Sequence, residues 1–340
     1  MDLLQDALKQ KKVKIIAETL GVCAGTINRW LKLQNVPPQY KADLLRMLSR
    51  DVDYATFSSK EKDQFFTLPE VARHCWDVFL EKNVADVEEY TFIEPSAGSG
   101  SFLGVLPPGY IALDIEPRHP NIVKQDYLQW TPPSDGRKYI VFGNPPFGLR
   151  GHLALQFINH SEPFADFVCF IVPQLFESDG KGSPRKRVSG FNLIHSEKLD
   201  TVFQTPEDTN VDVNVVFQIW SKHIENPDYA IRALPTDVLK VYSLSDGGDV
   251  SSTRNKDMIG KCDIYLPSTC FGDDAMKVYN SFEELPNRKG YGIVFQQRKE
   301  ELIEKAKNID WVTASFRSTN SAYNLRTSII CDQFTPPSDE

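Results

Sequence analysis

Two short stretches carry the residue types that chemistry needs. In the first, Phe92-Ile93 leads into Glu94-Pro95-Ser96-Ala97-Gly98-Ser99-Gly100, an apolar run ending in an acid and a glycine turn. Such a turn exposes backbone N–H groups that can meet a ligand carboxylate, while the acid is placed to receive an ammonium. That pairing suits an amino-acid moiety better than a pyrophosphate. In the second, Tyr139-Ile140-Val141-Phe142 runs toward Asn144-Pro145-Pro146-Phe147, whose two prolines stiffen the loop by fixing φ. The loop can set an amide oxygen and a main-chain carbonyl beside one flat substrate, with an aromatic ring at its end. A glycine turn after an apolar run occurs in any doubly wound protein. The two stretches together are specific.

Both stretches need strand ends to hold them. Apolar strand patterns at 110–115, 167–173, 199–203 and 214–220 alternate with helical patterns at 71–80 and 153–158. Alternation at this pitch predicts a mostly parallel α/β sheet covered on both faces, with ligands at the carboxyl ends of its strands. Asn144 falls at such an end. The strand at 110–115 reaches Asp114, twenty residues past Glu94, where a doubly wound sheet sets a carboxylate against ribose hydroxyls. A structural cap is the other reading of Asp114.

Together the motifs resemble those of the amino-methyltransferases that use S-adenosylmethionine on exocyclic nitrogens of nucleic-acid bases, most closely the adenine-N6 DNA methyltransferases. The resemblance covers about residues 62–222, in the gamma motif order with the cofactor half first. It implies a Rossmann-like class I methyltransferase fold with a mostly parallel sheet. Glu94, Pro95, Ser96, Ala97, Gly98 and Gly100 would bind the methionine part of the cofactor, and Asn144, Pro145, Pro146 and Phe147 the target amine. Asp114 would meet the ribose, with Ile115 against the adenine ring; Asp126 would accept from the cofactor's adenine amine, with Tyr127 beside the ring. Phe66 and Thr67 match the family's segment that closes over the carboxylate end, although Leu68 here separates Thr67 from Pro69. Thr67 equally reads as a helix N-cap with Glu70 completing a capping box.

The same resemblance implies a mechanism. The Asn144 side-chain oxygen and the Pro145 carbonyl would draw the amine toward a pyramidal geometry for direct in-line transfer, with no covalent enzyme intermediate. A duplex hides the amine, so the base must be flipped out. Phe147 is one stacking wall; Phe217 is either the second or a core residue. Asn rather than Asp at 144 leaves no obvious general base.

Across its 340 residues the chain carries a net charge of −8, with globular proportions of hydrophobic and charged residues. Residues 1–50 run the other way, with nine Lys/Arg against four Asp/Glu. A basic end on an acidic body is expected when one face meets phosphate. These residues read as helices, and 13–30 resembles a repressor-type helix-turn-helix: Ala17 permits a close crossing, Gly21 takes the turn, and Val22, Ile27 and Trp30 bury one face. The second helix, from about 23 to 32, would then present Thr26, Asn28, Arg29 and Lys32 to a major groove. A helical hairpin for packing or dimerisation is the alternative.

The expected domains are 1–50, a linker at 51–63, the methyltransferase domain at 64–222, a target-recognition α+β region at 223–334 and a disordered tail at 335–340. Within the 178–190 loop, Lys181, Arg185, Lys186 and Arg187 either clamp a phosphate backbone or form a solvated surface. Strand patterns at 262–267, 291–295 and 311–316 and a charged helix at 298–308 fill the last region, where the polar run 317–326 is the part expected on DNA.

Six scattered cysteines without Cys-x-x-Cys spacing read as buried thiols, no metal constellation is visible, and no apolar run approaches a membrane span. The first residues do not read as a signal peptide, so a cytosolic location is expected. The expected partner is double-stranded DNA, with a homodimer as a geometric expectation, in a restriction-modification, phage or epigenetic setting. The alternatives are an RNA adenine-N6 methyltransferase of the ribosomal type, a cytosine-N4 DNA methyltransferase, or a DNA-binding regulator that uses the fold as a scaffold.

Overall fold

The computed structural model describes residues 1–50, 52–57, 65–178, 183–205, 209–230, 237–247, 253–317 and 322–334. Four helices open the chain: α1 (Asp2–Gln10), α2 (Val13–Thr19), α3 (Ala24–Leu33) and α4 (Lys41–Met47). They close around Leu4, Ile16, Leu20, Ile27, Trp30 and Leu44, apolar positions at helical spacing that share one small core. Gly21, in the turn between α2 and α3, has φ +62°. Asn28, Arg29 and Lys32 lie exposed on α3, while Thr26 is half-buried with its hydroxyl against Cys23.

A seven-stranded sheet follows. Its strands are β1 (Tyr90–Glu94), β2 (Ile111–Asp114), β3 (Val123–Lys124), β4 (Lys138–Gly143), β5 (Ala165–Pro173), β6 (Asn192–Leu199) and β9 (Val215–Ser221), in the order β3-β2-β1-β4-β5-β9-β6. A hairpin of β7 (Val202–Gln204) and β8 (Asn210–Asp212) stands apart. The neighbours from β3 to β5 are parallel, and β9 runs antiparallel to both β5 and β6.

Strand alternation divides the core. Phe92, Ile140, Phe142, Cys169 and Ile171 face α5 (Pro69–Lys82), whereas Ile93, Val141, Val168, Phe170 and Val172 face α6 (His152–Ser161). Burial of one large side chain contributes about 1.5–3 kcal/mol. The Trp76, Phe79, Phe92 and Phe142 rings, packed mostly edge to face, therefore fix the helix against the sheet.

β1 and β4 are neighbours, but the chain leaves β1 toward β2 and β3 before returning to β4. The crevice at their carboxyl ends is thus the topological switch point, where open α/β sheets bind ligands. It lies between Glu94 and Gly143.

The remainder forms an antiparallel sheet of β10 (Leu239–Ser245), β13 (Lys289–Phe295) and β11 (Ile264–Pro267), and a smaller one of β12 (Thr269–Cys270), β15 (Tyr323–Asn324) and β14 (Phe316–Arg317). Helices α7 (Lys299–Asn308), α8 (Trp311–Ala314) and α9 (Thr327–Asp332) complete it. The 311–316 strand expectation is thereby corrected: Asp310 accepts from the Val312 and Thr313 N–H groups and starts a helical turn. Similarly, 199–203 is the end of β6, a break, and the start of β7. Cys23 is exposed, unlike the buried Cys75 and Cys169. No helix among the described residues is long and apolar enough to cross a membrane.

Candidate active site

The glycine turn leaves β1 at Glu94, and the Asn-Pro-Pro-Phe loop leaves β4 at Gly143. A hydrogen bond from the Ser96 hydroxyl to the Asn144 carbonyl, 3.1 Å, joins the two loops directly. Glu94 is 1% exposed, and neither carboxylate oxygen has a hydrogen-bond partner among the described residues. Burial, and secondarily the Asp114 charge, push its pKa well above the ordinary carboxylate range; the Ser96 N–H opposes this without reaching bonding geometry. Gly143 is required beside it, because a Cβ there would stand 2.2 Å from Glu94 Oε1.

Asn144 donates through Nδ2 to the Phe65 carbonyl, at 3.2 Å. Its Oδ1 is buried without a partner among the described residues. The amide is thus oriented by its donor end, with its acceptor end unsatisfied. Phe147 is buried, and Phe65 stacks on it with centroids 6.1 Å apart and an interplanar angle of 29°.

A cavity opens from these loops. Of the residues expected at a cofactor, Phe66, Pro95, Ser96, Gly98, Asp114, Ile115, Asp126 and Tyr127 line it, and Asn144 and Pro146 join them. Thr67, Glu94, Ala97, Gly100, Pro145 and Phe147 are not among the lining residues. Phe217 does not reach the cavity: it is fully buried against Phe142, so the core reading holds and the stacking expectation is corrected.

Asp114 is tied down through both oxygens, accepting from Gly98 N–H and Glu116 N–H at 2.7 Å each. Burial raises its pKa, and those two N–H groups work against the rise. The carboxylate therefore braces the glycine turn, and each oxygen keeps a lone pair for a further donor. Tyr127 lines the cavity, yet its hydroxyl is bound to Ser161 and its ring packs on Phe157, which makes it a core residue as well. Thr67 caps no helix. Leu68 takes the N-cap position without a side-chain bond, and the Thr67 carbonyl accepts instead from Ser101.

The basic loop is engaged within the protein. Arg185 reaches the Glu177 and Tyr229 carbonyls, and Arg187 Nη1 reaches the Gly21 carbonyl at 3.5 Å. Burial lowers the Arg187 pKa. Both stand half-buried with these contacts, while Lys186 is exposed; Lys181 lies outside the described residues, as does 318–321 of the polar run expected on DNA. Arg317 and Arg326, which flank that gap, lie over the rings of Tyr323 and Phe316.

Sequence reasoning missed one whole side of the cavity. Tyr40, Asp43 and Arg46 from the helical region, together with Tyr54, line it along with the glycine turn. Arg46 Nε donates to Asp126 Oδ2 at 2.9 Å, its Nη1 to Asp43 at 3.0 Å and its Nη2 to the Tyr54 hydroxyl at 2.6 Å. No local pattern announces a contact that spans eighty positions.

The strand order with its reversed β9 is the Rossmann-like class I methyltransferase fold. No family model matches the chain, and no curated protein does. Among solved structures the chain is similar to a Pyrococcus horikoshii protein, at 18% identity over 54% of this chain and 100% of that one, with a TM-score of 0.37. It is also similar to the 23S rRNA methyltransferase ErmE, at 16% over 48% and 71%, TM-score 0.34. A third is magnesium protoporphyrin IX methyltransferase from Synechocystis PCC 6803 with bound S-adenosylmethionine, at 10% over 62% and 97%, TM-score 0.32. Likenesses this distant transfer no activity.

Proposed function

We propose that the protein is a site-specific DNA methyltransferase that transfers methyl from S-adenosylmethionine to the N6 amine of adenine. One observation carries the reading: two buried acceptors at the carboxyl ends of the neighbouring strands β1 and β4, the Glu94 carboxylate and Asn144 Oδ1, have no hydrogen-bond partner among the described residues. Leaving a buried polar group unsatisfied costs about 1–3 kcal/mol. Ligands that bring donors relieve both costs. An amino-acid ammonium fits Glu94, and an exocyclic amine fits Asn144.

S-Adenosylmethionine, when bound, supplies an electrophilic methyl group on a sulfonium. The chain does the remainder. Glu94 and the glycine turn would hold the methionine part, and Asp114 and Asp126 the adenosine part. Adenine's amine is a poor nucleophile because its lone pair is delocalised into the ring. Asn144 Oδ1 and the Pro145 carbonyl, each accepting one amine hydrogen, pull the nitrogen out of that conjugation and aim its lone pair. Orientation of this kind contributes up to ~7–11 kcal/mol. Phe147 offers the flipped base a stacking face, and entry of the base displaces Phe65. The exposed Asn28, Arg29 and Lys32 on one helix face support duplex DNA as the partner.

The test is incorporation of labelled methyl into unmethylated duplex DNA and, in parallel, single-stranded RNA, with nucleosides identified by mass spectrometry. N6-methyladenine in DNA, absent with Asn144→Ala, is the expected result. Label in RNA alone would replace the substrate. Label in neither, with S-adenosylmethionine bound, would overturn the reading in favour of a DNA-binding regulator.

A further inference from the structure

The cavity is built from two parts of the chain. The sheet domain contributes the glycine turn, and α4 with the residues on either side of it contributes Tyr40, Asp43, Arg46 and Tyr54. Asp126 is where they meet. Its Oδ2 accepts from Arg46 Nε at 2.9 Å, the Tyr54 hydroxyl at 2.8 Å and Gln129 Nε2 at 2.9 Å, while Oδ1 accepts from the Leu128 N–H at 3.0 Å. The Arg46 and Asp126 side chains are only 16% and 10% exposed. A carboxylate held by four donors cannot rotate, and among the described residues Oδ1 keeps room for one donor more.

Two further hydrogen bonds hold the helical region on the sheet domain: Gln156 Nε2 to the Thr19 carbonyl at 3.4 Å and Arg187 Nη1 to the Gly21 carbonyl at 3.5 Å. Both sit at the turn between α2 and α3. The helical region is therefore seated by its turn and by α4, with the exposed face of α3 left outward.

We infer that the N-terminal helical region is a wall of the cofactor pocket, and that Arg46, with Tyr54, is a positioning residue that presents Asp126 to the cofactor's adenine amine. This rests on the cofactor assignment above. A ligand that touches both parts binds only the seated arrangement, so cofactor affinity and seating rise and fall together. The role belongs to Arg46 because a lysine keeps the charge but has no fork with which to reach Asp126, Asp43 and Tyr54 at once.

The experiment is calorimetric titration of the full-length protein with S-adenosylhomocysteine and, separately, with 5′-methylthioadenosine, which lacks the amino-acid end. Wild type is expected to bind both. Arg46→Lys should weaken both by the same ~10-fold or more, the size of a missing hydrogen bond to a charged group, and Tyr54→Phe by a smaller factor. In an Asp126→Asn background the Arg46→Lys loss should largely vanish, and in turnover assays it should appear in KM for the methyl donor more than in kcat. Arg46→Lys within twofold of wild type would overturn the inference. An undiminished loss in the Asp126→Asn background would do the same, since the arginine would then act only on stability. Binding of neither ligand by wild type would instead remove the cofactor assignment itself.

Discussion

Replacing Glu94 with glutamine separates what that carboxylate costs the fold from what it does for a ligand. Burial, reinforced by Asp114, holds its pKa well above the ordinary carboxylate range in the folded protein. The unfolded chain keeps the ordinary value. Stability associated with the protonated form is thus full below the ordinary carboxylate pKa and is lost as pH rises through the raised folded one. Glutamine cannot ionise, so Glu94→Gln should lack this decline and unfold at the same or a higher urea midpoint than wild type at pH 8. Ligand binding should move the other way. A hydrogen bond to a charged partner is worth about 1.5–3 kcal/mol, so S-adenosylmethionine should bind the variant roughly 10- to 150-fold more weakly. Wild-type Glu94 must shed its proton to pair with an ammonium, and its affinity should therefore rise with pH up to the raised pKa. Calorimetry in two buffers of different ionisation heat should show release of up to ~1 proton per cofactor for wild type and none for Glu94→Gln. Unchanged affinity in the variant, or proton uptake by wild type, would refute the reasoning.

Gly143→Ala would drive a methyl into the Glu94 carboxylate, and overpacking of this kind costs about 1–3 kcal/mol; a lowered urea midpoint with weakened cofactor binding is expected. Arg29→Ala with Lys32→Ala should weaken DNA binding and flatten its logarithmic salt dependence by ~0.9 for each phosphate no longer neutralised, read by fluorescence anisotropy across a salt series. Arg187→Ala should leave that salt dependence unchanged, because the guanidinium is half-buried and reaches the Gly21 carbonyl, and should instead lower thermal stability by about 0.5–1.5 kcal/mol.

The legible parts were those in which local chemistry and tertiary need agree. The strand ends at Glu94 and Gly143, the two helices around Gly21 and the strands 167–173 and 214–220 all carry an unbroken apolar or turn pattern, and the structure keeps each within a few residues. Where local readings competed, packing decided. Thr67 looked like a helix cap but faces inward, Phe217 was divided between wall and core, and 311–316 was claimed for a helical turn by Asp310. The basic loop shows a related limit: charge density alone does not distinguish a guanidinium aimed at solvent from one aimed at a carbonyl 166 positions earlier. Arg46 was illegible outright, since its partner Asp126 and its cavity come from a part of the fold that α4 does not contain.

The turn at Gly21 also bears on how the chain assembles. Synthesis runs from the amino end, and domains generally fold as they emerge. Residues 1–50 thus leave the ribosome well before Gln156 and Arg187 exist to receive them. Their own core of Leu4, Ile16, Leu20, Ile27, Trp30 and Leu44 must hold them meanwhile. Seating on the sheet domain must come afterwards, because Gln156 and Arg187 are made later, and the cavity, lined from both parts, is complete only once they meet.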